Sequence, residues 1–214
     1  MLTIRKVKIL KTQHIKISND GSGMNEALNM TDKVAASLQL SKKESFQLRL
    51  LSEEMFSMVR AIAGNFTADF WIEEENRNCK LRLETAKMAL DYEKRKEFLS
   101  VSTKGENIAR RGIMEKIRDI FEAGLYGMEE GFKMQSKYGG GMYMYGSIDS
   151  MDIGIADAIY AWSMEKYKSE VEADISENAD AWDEIEKSII ANIADDVKVG
   201  VRKDSLEIII EKKF

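Results

Sequence analysis

The chain has 214 residues, 44% of them hydrophobic and 32% charged, with a net charge of −5. This composition suits a globular protein and gives a nucleic-acid role no electrostatic support. The lone Cys79 excludes an intramolecular disulfide and a cysteine-built metal site, and the lone His14 excludes a histidine cluster for zinc. A Ser-His-Asp triad would have to recruit His14 from a basic segment that reads as an edge strand, which argues against it. No apolar run approaches the roughly 18 residues of a membrane span, and no signal-peptide core is visible, so a cytoplasmic protein with no membrane partner is expected. Charge is uneven: residues 1–19 carry five Lys or Arg and no acid, whereas 165–187 is strongly acidic. Two solvated surfaces explain this more simply than a binding patch.

In chain order, residues 2–19 read as strand, with Ile15 and Ile17 alternating with His14 and Lys16. The alternate lysines suggest a solvated face or an edge. Asn19 to Gly23 is a turn, and a first helix is predicted over 25–38. The stretch 41–64 reads as a long amphipathic helix. Ser41 and Glu44 form a capping box, Leu48, Leu51, Met55, Met58, Val59 and Ile62 form one apolar stripe, and Gly64 provides the stop. Period-two patterns follow, in Phe66, Ala68, Phe70, Ile72 and again in Cys79, Leu81, Leu83. They predict a hairpin whose loop covers several residues, 73–78.

Helices are expected over 86–100 and 106–123, and another over about 152–171 with Ile155, Ile159 and Trp162 inward. Between them, residues 124–147 are rich in Gly, Tyr and Met and suggest a mobile loop or insertion. Trp182, Ile185, Ile189 and Ile193 mark one helical face. Val197, Val199 and Val201 alternate, and Leu206 to Ile210 is a β-branched run, so the chain ends helix, strand, strand. No proline occurs, which leaves Gly, Asn and Asp to end the elements.

This order of elements around LRLLSEEMFSMVRAIAG resembles the ATP-binding domain of the gyrase, heat-shock chaperone, histidine kinase and MutL (GHKL) superfamily. The small anti-sigma-factor serine kinases are the nearest likeness. The resemblance covers roughly residues 12–84 and 180–213 and implies an α/β (α+β) two-layer sandwich, with a mixed sheet and helices on one face. Residues 1–214 then form a single domain, and 86–175 an enlarged insertion or lid within it.

In that family the long helix carries a Glu that positions water and, four residues on, an Asn that binds magnesium. Glu54, with Glu53 second, matches the catalytic carboxylate. The Asn position falls on Met58 or Ser57, so the metal ligand is lost or replaced by a hydroxyl. Glu84 stands where the adenine-binding Asp-x-Gly-x-Gly begins, but both glycines are missing. Glu177 and Asp180, before the Trp182 helix, disfavour phosphate. Gly139, Gly140 and Gly141 lie where a phosphate lid would be, though a flexible loop accounts for them more simply. Arg110 and Arg111 before Gly112 offer an anion contact or a solvated helix surface.

The resemblance implies ATP and magnesium as cofactors, bound weakly or no longer bound. It also implies a regulatory protein partner, with ATPase or serine/threonine kinase activity slight or absent. The rival reading is a non-enzymatic interaction module. There Tyr138, Tyr143, Tyr145, Met142 and Met144 dock a partner or a second copy, although a loop packed onto the core accounts for them at least as simply. For Glu53 and Glu54 the plainer alternative is a surface carboxylate and a helix ion pair with Arg49 or with charges on the Lys43 side.

Overall fold

The structure, a computed structural model, describes residues 10–63, 65–86, 142–144, 160–173, 179–201 and 205–214. Strands β1 (Leu10–Lys11) and β2 (Ile15–Ser18) lead into α1 (Met24–Ser37) and α2 (Lys42–Ala63). The hairpin β3 (Thr67–Glu75) and β4 (Asn78–Thr85) follows, then β5 (Met142–Met144) and β6 (Tyr160–Ser163). Three helices come next, α3 (Met164–Ala173), α4 (Ala179–Lys187) and α5 (Ile189–Ile193), and the chain closes with β7 (Asp196–Val201) and β8 (Leu206–Lys213).

The eight described strands form one sheet in the order β1-β3-β4-β8-β7-β6-β5, with β2 also on β3. The architecture is α+β. Every described pairing is antiparallel, which corrects the expected mixed sheet. The reason lies in the connections. The terminal strand β8 inserts between β4 and β7 and runs opposite to both, so no pair has the parallel crossover a mixed sheet needs. The 66–83 ribbon and the terminal strands thus share one sheet. Residues 142–144 and 160–163, expected within an insertion, supply two of its strands.

Alternation builds one apolar face. Ile15, Phe70, Leu83, Ile208, Val199 and Trp162 stand in register across six strands and belong to the main core. Helix α2 lies against this face: Leu48, Leu51, Met55, Met58 and Val59 are buried in the same core, and Phe56 meets Phe70 edge-on at 5.0 Å. The capping box forms as expected. The Ser41 N–H donates to Glu44 Oε2 at 2.7 Å, and the Glu44 N–H donates to Ser41 Oγ at 3.3 Å. The Ser41 backbone N–H, followed by its hydroxyl, holds the Glu44 carboxyl below its ordinary value.

Three local expectations are corrected. The hairpin turns through two residues, Asn76 and Arg77, with φ of 53° and 64°, so that Glu75 faces Asn78. Two left-handed residues match the twist of the strands, and Asn tolerates the first place. Arg77 is held in the second by its contacts: its guanidinium donates to the carbonyls of Phe214 and Leu38 and to Glu44, while its own carbonyl accepts from Phe214.

Trp162 is inward and 1% exposed, but it sits on β6, not on a helix over 152–171. Its partner Val199 extends it as strand, and Asp196 starts α3 by accepting from the Glu165 N–H at 2.9 Å and from the Ser163 hydroxyl at 3.1 Å. The terminal helix is broken at Ser188, whose extended backbone (φ −78°, ψ 120°) and Oγ cap a new short helix at the Ala191 N–H. The break shifts the phase by one, so Ile190 is buried and Ile189 is 54% exposed, opposite to the single-face expectation.

Residues 2–9, the helices expected over 86–100 and 106–123, and Gly64 lie outside the described residues. Among the described residues, no helix is long and apolar enough to cross a membrane.

Candidate functional site

The carboxylates of α2 are separated by their helical phase. Glu53 is exposed and takes Arg49 Nε at 3.1 Å, one turn back, while Arg49 also reaches Asp32 of α1 at 2.6 Å. It therefore makes the i, i+4 ion pair that a solvent-facing position allows. Glu54, next along, is half-buried. Four residues on, Met58 is 2% exposed within the core, and Ser57 is half-buried. The stripe that fastens α2 to the sheet thus consumes the position at which a metal ligand was sought. A thioether among apolar neighbours offers magnesium no hard oxygen.

Glu84 is set by strand parity. Its neighbours Leu83 and Thr85 are buried on the side that holds the helical core, so Glu84 stands on the opposite face of the sheet. There it is in register with Asp69 on one side and Glu207 on the other. Glu54 belongs to a helix on the first face. The two residues sought for one pocket stand on opposite sides of the sheet. Gly139, Gly140 and Gly141 lie outside the described residues. Of the described positions, Met58 offers magnesium no oxygen and Glu84 is turned away from α2. Among the described residues, no three of His, Cys, Asp or Glu come together as a metal group.

The second face carries an ion-pair lattice. Arg82 lies between Glu207 (Nη1 to Oε1, 2.8 Å) and Glu73 (Nε to Oε2, 3.0 Å), and Lys11 approaches Glu73 at 3.4 Å. One row over, Glu211 is flanked by Lys198 at 2.7 Å and Lys80 at 3.3 Å. Burial by itself pushes the Glu211 carboxyl up; Lys198 and Lys80 outweigh it and hold the group below its ordinary value. The middle of this face is withdrawn from water, with Ile209 1% and Glu207 4% exposed. Sequence reading missed Arg82 and Glu207 as partners. Their signal was present as opposite charges at the same phase of two strands, but it needed the β4–β8 register to be seen.

At the edge, one extra residue changes where His14 goes. Lys11 pairs with Glu73, the Thr12 N–H donates to Ile72 O at 2.9 Å, and Ile15 pairs with Phe70. Gln13 and His14 therefore oppose the single residue Trp71, a β-bulge. The His14 ring stacks on Trp71 at 4.3 Å and 5°. This is a packing role. Cys79 is buried in the core, and burial pushes its thiol up to about 12, so it is no nucleophile at neutral pH.

No family model matches the chain, and no curated protein matches it in sequence.

Proposed function

We propose that the protein is a cytoplasmic regulatory protein, built on a frame of the anti-sigma or histidine-kinase ATP-binding type. Its nucleotide site is degenerate and it carries little or no catalysis. The kinship draws support from α2 lying across a sheet that joins the 67–85 hairpin to the last two strands. The all-antiparallel pairing is the feature that departs from it. One observation carries the loss of the site: Glu84 stands on the face of the sheet away from α2, while Met58 fills the core at the metal-ligand position.

Isothermal titration with ATP and magnesium tests this reading. No heat beyond dilution is the expected outcome. Tight, magnesium-dependent binding that is lost in Glu54→Ala refutes it.

A second reading, an interaction module working through 124–147, draws on one observation: Met142–Met144 from that stretch forms the last strand of the described sheet, paired with β6. Residues 138–147 carry no charge, so nothing in their side chains repels an added strand or a second copy. Light scattering after size exclusion, with Tyr143→Lys as the variant, examines it. Association lost on adding the charge supports this second reading, and a monomer in both cases removes it.

A further inference from the structure

We draw no further inference here: the strongest candidate, the sheet edge at Met142–Met144, belongs to the second reading above, and nothing in the structure shows what covers it.

Discussion

The two faces of the same sheet solve burial differently. On the helical face the row from Ile15 to Trp162 is apolar from end to end and is closed by α2 and the later helices. Nothing in that row needs a specific partner, because dispersion and water exclusion are non-directional. On the other face the row Trp71, Arg82, Ile209, Lys198, Ser163 mixes charge, aromatic and aliphatic groups. Its middle is buried too, so every charge there needs a partner of opposite sign at bonding distance. The first face tolerates changes of identity that keep volume. The second is specified pair by pair.

The largest effect should come from the first face. Phe70→Ala removes a ring that is 0% exposed and stacked edge-on against Phe56, and should cost about 3–5 kcal/mol in urea unfolding. A cost near zero would mean α2 does not rest there. The second face should show a gradient instead. Arg82→Ala leaves Glu207 without its guanidinium, and because the Arg82 side chain is 20% exposed the expected loss is about 2–3 kcal/mol, short of a fully buried pair. Lys16→Ala, which breaks the edge pair with Asp69 where the lysine side chain is 75% exposed, should stay within about 0.5 kcal/mol. Equal costs for Arg82 and Lys16 would erase the distinction between the middle and the edge of that face.

The same contrast explains what was legible in the chain. The apolar face could be read because burial repeats with the period of the element: Leu48 to Val59 at helical spacing, Val197 and Val199 at two. The capping box at Ser41 was legible because it is complete within four residues. The charged face was not, since Arg82 and Glu207 are 125 positions apart and their opposition exists only after β8 inserts beside β4.

Single residues that reset phase were also opaque. Ser188 shifted Ile189 outward, and the extra residue at Gln13–His14 re-aimed the imidazole. Neither changes composition or periodicity enough to be seen. For the candidate site, sequence identified the missing Asn and glycines, but it could not assign faces. Glu84 looked like a neighbour of α2 until strand parity placed it across the sheet. Gly23 shows the opposite case, a residue whose need is plain only in three dimensions. At φ +76° it begins α1, and a Cβ there would lie 1.9 Å from Lys16 O, so no side chain fits.

The most specific effect is in acid. Glu211 is held below its ordinary value in the folded chain, so its share of stability is fully present above the ordinary carboxylate range and is lost as pH falls through the folded value. Lys198 and Lys80 set that direction against burial, and Lys198 is the nearer, at 2.7 Å against 3.3 Å. In Lys198→Met the desolvation remains while most of the opposing charge is gone. The carboxyl then takes its proton at a higher pH, and the acid limb of the melting curve moves upward in pH. At neutral pH the loss should appear as about 2–4 °C in Tm, a range suited to a chain of this length. Melting followed from about pH 3 to pH 7 checks both, with Lys16→Met as the exposed comparison whose acid limb should stay in place. An unmoved limb in Lys198→Met would mean the lattice is open to water, and the two faces would then differ in composition but not in physics.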